Sequence, residues 1–169
     1  EGLGNTHGMS LNTNAASSDD SGWWNDTTPT STVFTTGNGN GYRTGGVAED
    51  YIAYCFAEVD GYSKFALYTG NGDADGTFVF TGFRPAWILL WESGNARNWV
   101  ISYDDATYYN GVTQSLFPNI TQAEDANERL DFLSNGFKLR TTSTSWNNNT
   151  GNYIYMAFAD QPFKFSNAR

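Results

Sequence analysis

The residue types best suited to chemistry are scarce in this chain and spaced poorly for it. His7 is the only histidine and lies in a Gly- and Asn-rich opening. A Ser-His-Asp or Cys-His arrangement needs that imidazole held between a nucleophile and an acid, and a lone His in a loop is read as a surface residue. Cys55 is the only cysteine, so neither an intrachain disulfide nor a cysteine metal cluster is possible. Its setting, Tyr51-Ile-Ala-Tyr-Cys-Phe-Ala57, predicts a buried thiol inside an apolar strand. With His and Cys nearly absent, zinc has no ligand set.

Carboxylates offer more. Three acidic pairs stand out, Asp19-Asp20, Asp104-Asp105 and Glu124-Asp125. A glycosidase needs two carboxyl groups facing one sugar ring, about 5–10 Å apart. Adjacent residues on a strand point to opposite faces, and each pair neighbours turn-forming residues, where Asp side chains bond to backbone. These pairs therefore predict no hydrolase, and the chain is expected not to be an enzyme. Asn71-Gly-Asp-Ala-Asp-Gly76 imitates the front of a calcium loop, with Asn71, Asp73 and Asp75 at alternate positions before a glycine. The position at which such a loop needs a bidentate Glu is Gly82. The simpler expectation is an Asx-rich turn, and calcium is the one cofactor with any support.

The six tryptophans divide by context. Trp87, Trp91 and Trp99 lie in apolar runs and read as core or interface. Trp23, Trp24 and Trp146 lie among Ser, Asn, Asp and Gly, where no core pattern accounts for them. Exposed aromatics in such company either stack on sugars or bury themselves in a subunit interface.

The elements that must position these residues are β-strands. Aromatics make up 17 % of the 169 residues, charged residues only 16 %, and there are 18 glycines. That composition suits short strands and tight turns and starves long solvated helices of their charged outer faces. Eighteen acids against nine bases give a net charge of -9, which repels nucleic-acid backbones. No stretch is long and apolar enough to span a membrane. Apolar runs bounded by Gly, Asn, Asp and Pro predict strands at 8–12, 31–36, 50–58, 62–69, 77–81, 85–91, 97–103, 114–117, 136–141 and 151–158. The nearly continuous runs 51–57 and 86–91 predict strands covered on both faces. One short helix is predicted over 121–130, with Thr121 as N-cap and Glu124 completing a capping box.

The chain also resembles itself. Tyr51-Ile-Ala-Tyr-Cys-Phe-Ala-Glu58 matches Tyr153-Ile-Tyr-Met-Ala-Phe-Ala-Asp160, and Thr32-Val-Phe-Thr35 sits where Asn135-Gly-Phe-Lys-Leu139 sits. An offset of roughly a hundred residues is the size of one small domain. The expectation is two antiparallel β-sandwich-like repeats in tandem. Residues 1–70 would be the C-terminal portion of a first repeat, 71–82 a connector and 83–169 the second. The first repeat would lack its opening strands, and the abrupt Glu1-Gly-Leu-Gly start reads as a cut.

Asp26-Thr-Thr-Pro-Thr-Ser-Thr-Val-Phe34, Gly61-Tyr-Ser-Lys-Phe65, Tyr68-Thr-Gly-Asn-Gly72, Thr81-Gly-Phe-Arg-Pro-Ala86 and Leu133-Ser-Asn-Gly-Phe-Lys-Leu139, with the two matched segments, resemble a repeated domain of unknown function in marine bacteriophage virion proteins. The resemblance implies a structural role on the particle surface, as a tail fibre or similar appendage, and carries no catalytic residue. It implies self-association, as a homotrimer by the habit of such appendages, contact with other virion proteins and contact with a host-surface glycan. In that setting an interface is the favoured use of Trp23, Trp24 and Trp146. A capsid decoration protein, a free-standing carbohydrate-binding module and a glycan hydrolase are the competing expectations.

Overall fold

A computed structural model describes residues 3–37, 44–46, 49–104, 111–112 and 114–161. In chain order its elements are β1 (His7–Gly8), β2 (Ser18–Asp19), α1 (Ser21–Trp24), β3 (Ser63–Thr69), β4 (Phe78–Phe80), β5 (Pro85–Glu92), β6 (Val100–Tyr103), β7 (Gly111–Val112), β8 (Ser115–Leu116), β9 (Leu130–Leu133), β10 (Gly136–Leu139), α2 (Thr144–Asn147) and β11 (Asn152–Ala159). The described chain is all-β, with two helical turns.

Two antiparallel sheets carry the architecture. One runs β3-β11-β5-β6-β8 and the other β4-β10-β9-β7. Period-two alternation explains why they stack. Along β11, Tyr153, Tyr155, Ala157 and Ala159 are buried while Ile154, Met156 and Phe158 are half-buried on the other face. The buried set shares one core with Ile88, Leu90 and Val100 of the same sheet and with Val79, Leu130, Phe132, Phe137 and Leu139 of the opposite sheet. Tyr68 stacks on Tyr153 at 4.8 Å between ring centroids, and Phe137 reaches across edge-on to Tyr68 at 5.9 Å and Tyr155 at 5.4 Å. Each such buried aromatic or aliphatic side chain contributes about 1.5–3 kcal/mol, so this cross-sheet seam is what holds the sandwich shut.

Eight of the ten predicted strands are present in part or whole, and the differences have physical reasons. Among the described residues the 31–36 and 50–58 runs form no strand, and Val33, Phe34, Tyr51, Ile52, Tyr54 and Phe56 are exposed. The 8–12 strand shrinks to β1, paired with β2. The helix over 121–130 is absent. Asp125 instead exchanges both backbone hydrogen bonds with Ser115, at 2.9 and 3.0 Å, and its carboxylate pairs with Arg129 at 3.0 Å. A local capping signal has yielded to a long-range bridge.

β3 pairs with β11 along its whole length, and β4 pairs with β10 in the other sheet. Residues 63–82, divided on sequence between a first repeat and a connector, thus complete the same sandwich as 83–159. The described residues show one sandwich. The preceding stretch lies partly across the outer face of the five-stranded sheet. Trp99 Nε1 donates to the Ser10 carbonyl at 3.1 Å, and Phe56 packs against Phe65 and Phe158 at 6.1 and 6.0 Å. Met9 and Leu11 meet Leu89, Ile154 and Met156 around a hollow of about 370 Å³.

Candidate binding surface

The three tryptophans singled out above do not form one site. Trp146 is 2 % exposed and belongs to the core, which corrects its assignment to a surface. The Thr144–Asn147 turn aims it inward against Phe117, edge-on at 5.8 Å, with the Arg129 guanidinium 5.0 Å from its ring centroid. Polar neighbours in sequence hid this because they serve the turn and not the ring. Trp146 Nε1 has no hydrogen-bond partner among the described residues.

Trp23 and Trp24 lie together in α1, half-buried. Asp20 caps this turn, accepting from the Gly22 N–H at 2.7 Å. Asn25 ends it in a left-handed conformation at φ 51°. Trp23 Nε1 donates to Ser18 Oγ at 3.0 Å, and Trp24 Nε1 donates to the His7 carbonyl at 3.0 Å. Gly8 permits the first of these arrangements, since a Cβ there would lie 2.0 Å from the Trp23 ring. His7 itself carries a 2.8 Å hydrogen bond between Nδ1 and Thr6 Oγ1.

Trp24 packs edge-on to Phe34 at 6.4 Å, and both line an open concavity of about 890 Å³. Pro29, Tyr51, Ile52, Tyr54 and Cys55 complete much of its wall. The thiol predicted to be buried is exposed. Among the described residues no charged side chain lines this hollow. Of its wall, sequence reasoning found only Trp24. The signal for the rest was the apolar 50–58 run itself, which was assigned to a covered strand.

The Asn71–Gly76 loop is stitched to the protein by Asn147, which is fully buried. Asn147 Nδ2 donates to Asn71 Oδ1 and the Asp73 carbonyl, each at 2.8 Å, and to the Thr141 carbonyl at 3.0 Å. Asn71 Oδ1 also accepts from the Asp73 N–H, and Asp73 Oδ1 from the Asp75 N–H. Lys138 Nζ lies 2.9 Å from Asp75 Oδ1 and holds that carboxyl below its ordinary value by hydrogen bond and charge. The oxygens proposed for calcium are thus engaged in an Asx-type turn.

The acidic pairs serve separate partners. Asp20 caps α1, Asp104 pairs with Arg84 at 2.6 Å, Glu124 accepts from the Tyr103 hydroxyl and Asp125 pairs with Arg129; Asp105 lies outside the described residues. Among the described residues no three His, Cys, Asp or Glu side chains gather as a metal site would require, and no helix is long and apolar enough to cross a membrane.

What the geometry offers is surface. Both faces of the five-stranded sheet are apolar, one sealed by the sandwich and one covered partly by residues 9–11 and 56. Further apolar surface lies in the concavity and in the exposed Phe78 and Phe80 of β4. No curated protein and no solved structure matches the chain. A family model described as a domain of unknown function (DUF7483) matches residues 1–162, and the chain belongs to that family.

Proposed function

We propose that this chain is a non-catalytic structural module of a bacteriophage particle, one unit of a tandem sandwich array in a tail fibre or similar appendage. The observation that carries the reading is the amount of exposed aromatic and aliphatic surface. Val33, Tyr51, Ile52, Tyr54, Phe56, Leu67, Phe78 and Phe80 are all exposed. Monomeric soluble proteins rarely expose large apolar patches, which otherwise mark sites of association. The particle setting rests on the sequence resemblance to phage virion domains. Self-association, as a homotrimer, and packing against other virion proteins would bury these side chains, as a symmetric assembly does.

Host-glycan attachment is the secondary role within this reading. Trp24, with its ring on the concavity wall, is its support, and Trp146 no longer contributes. Two measurements test the proposal. Sedimentation equilibrium of the recombinant chain is expected to show a trimer, and electron cryo-microscopy of intact particles is expected to place its density on an appendage with matching symmetry. A monomer at every concentration, together with absence from the particle, would overturn it.

A further inference from the structure

We infer that β4 is a self-complementary edge, through which two copies of this chain pair antiparallel about a two-fold axis at Val79.

β4 ends the four-stranded sheet and, among the described residues, pairs with β10 alone. The Leu139 N–H donates to the Thr77 carbonyl and the Thr81 N–H to the Asn135 carbonyl, each at 3.0 Å. Thr77 and Thr81 therefore turn backbone groups toward β10. Strand alternation sends those of Phe78 and Phe80 the other way, to the open edge. Their side chains share the outer face, 43 % and 63 % exposed, while Val79 between them lies in the core. Sheet edges are commonly guarded by a charge, a proline or a bulge. Here 76–82 holds neither charge nor proline, and β4 runs in unbroken register against β10.

The sequence of the edge says what fits it. Gly76-Thr-Phe-Val-Phe-Thr-Gly82 reads the same in both directions. Paired antiparallel with itself about Val79, it sets Phe78 against Phe80, Thr77 against Thr81 and Gly76 against Gly82. Like residues meet at every position, as an isologous contact requires. The same register brings the outward backbone groups of Phe78 and Phe80 onto those of the partner's Phe80 and Phe78. A slip of one residue would oppose outward groups to inward ones and put the rings on opposite faces. Facing aromatic pairs and facing Thr pairs both favour the match. Charge permits the approach, because a chain of net charge -9 meets its copy here through an uncharged stretch.

Area sets the strength. A fully buried Phe covers about 150–250 Å², so the four partly exposed rings of two copies offer about 400 Å². Stable interfaces bury about 1,200–2,000 Å². The pairing is therefore weak and depends on concentration.

The test traps the register in the whole chain. Phe78→Cys and Phe80→Cys chains, each also carrying Cys55→Ala and one of them isotopically labelled, are mixed under mild oxidation. Position 78 of one copy lies about 5.5 Å at Cα from position 80 of the other, within disulfide range. Identical positions are diagonal, about 7–8 Å apart. The mixed 78–80 disulfide is expected at least about tenfold over either symmetric product. A statistical mixture, symmetric products alone or no cross-link would overturn the inference. In the unsubstituted chain the Phe78 and Phe80 amides are expected to gain protection from hydrogen exchange as concentration rises. Phe80→Lys should remove that gain while leaving circular dichroism unchanged. Protection independent of concentration would mean an edge left open or covered from within the chain, and would equally overturn it. This two-fold contact takes Phe78 and Phe80 and leaves the other exposed side chains to the trimer proposed above. Loss of the mixed cross-link leaves the trimer and particle measurements standing, and their failure leaves the cross-link standing.

Discussion

The Arg129 guanidinium lies 5.0 Å from the centroid of the Trp146 ring while its Nη2 and Nε reach the Asp125 carboxylate at 3.0 and 3.3 Å. One cation therefore ties the β8–β9 connection to the core aromatic of α2. Trp146→Ala is expected to cost about 3–5 kcal/mol, the usual range for emptying a buried aromatic site. Trp146→Phe is expected to cost under about 1.5 kcal/mol, because it also removes a buried indole N–H that has no partner among the described residues. Arg129→Ala should fall near 1 kcal/mol, about the worth of a partly exposed cation–π contact with a screened ion pair. Urea unfolding followed by circular dichroism measures all three. A Trp146→Ala variant as stable as the parent would contradict the buried placement.

The Asn71–Gly76 turn yields a prediction that separates its two readings. Asn147→Ala removes three donated bonds at Asn71, Asp73 and Thr141 and the one its Oδ1 accepts from the Asn71 N–H. With the site fully buried, the loss is expected to be about 2–4 kcal/mol, since several groups are left unpaired at once. Calcium added to the parent chain is expected to leave Tm unchanged, because a ligand that stabilises must bind the folded state and these oxygens already have partners. A rise in Tm that follows calcium concentration and is lost in Asp73→Asn would restore the metal site.

How much of this was legible in the sequence depends on where each residue's partner lies. The 151–158 and 85–91 runs announced themselves because both faces of those strands are apolar, a property that needs no knowledge of neighbours. The 50–58 run has the same pattern and is no strand, since a strand exists only with a ladder beside it. The helix read over 121–130 is absent because the capping-box signal of Thr121 and Glu124 is local, whereas Asp125 pairs with the distant Ser115. Trp146 was misplaced by its polar neighbours, which cap and turn while the ring points inward. Of the concavity wall only Trp24 is legible, because Phe34 reads as part of a strand and Tyr51–Cys55 as part of a covered one.

Glu92 is a buried carboxylate that the fold has provided for. Its Oε1 accepts from Asn95 Nδ2 at 2.7 Å and Asn148 Nδ2 at 3.0 Å, and its Oε2 accepts from Arg97 Nε at 3.3 Å. The group sits at the end of β5 opposite Tyr153 and anchors the loop that leads into β11. Glu92→Ala strands these donors in a protein interior and is expected to cost about 3 kcal/mol, in the range for breaking a buried pair. Glu92→Gln keeps the shape while losing the charge and turns one donor against another, so an intermediate loss is expected. Thermal unfolding of the pair of variants checks the order; Glu92→Gln falling below Glu92→Ala would show that shape matters less than the crowding of donors.

The tyrosine seam sets the alkaline limit of the fold. Burial pushes the Tyr153 and Tyr155 hydroxyls up to about 12, and burial pushes Tyr68 well above its ordinary value too. An acid whose folded pKa exceeds its unfolded value near 10 keeps more protons in the folded state, so stability falls as pH rises. The contribution is intact below about pH 10 and is lost progressively toward about 12. On the acid side the sign reverses. Burial works to raise Asp125, but hydrogen bonds from Asn127 and Arg129 outweigh it and hold the group below its ordinary 3.8. The Lys64 hydrogen bond likewise lowers Glu58 from 4.5. Their contribution is present above those ordinary values and disappears as pH falls below them. Tyr155→Phe, which keeps the ring, is expected to leave stability at neutral pH nearly unchanged and to flatten the alkaline limb, while Asp125→Asn flattens the acid limb. Urea midpoints across the pH range, read beside tyrosinate absorbance, measure both. A tyrosinate difference between the parent and Tyr155→Phe that is already present at pH 10, without loss of structure, would place this hydroxyl in water and undo the seam that joins the sheets.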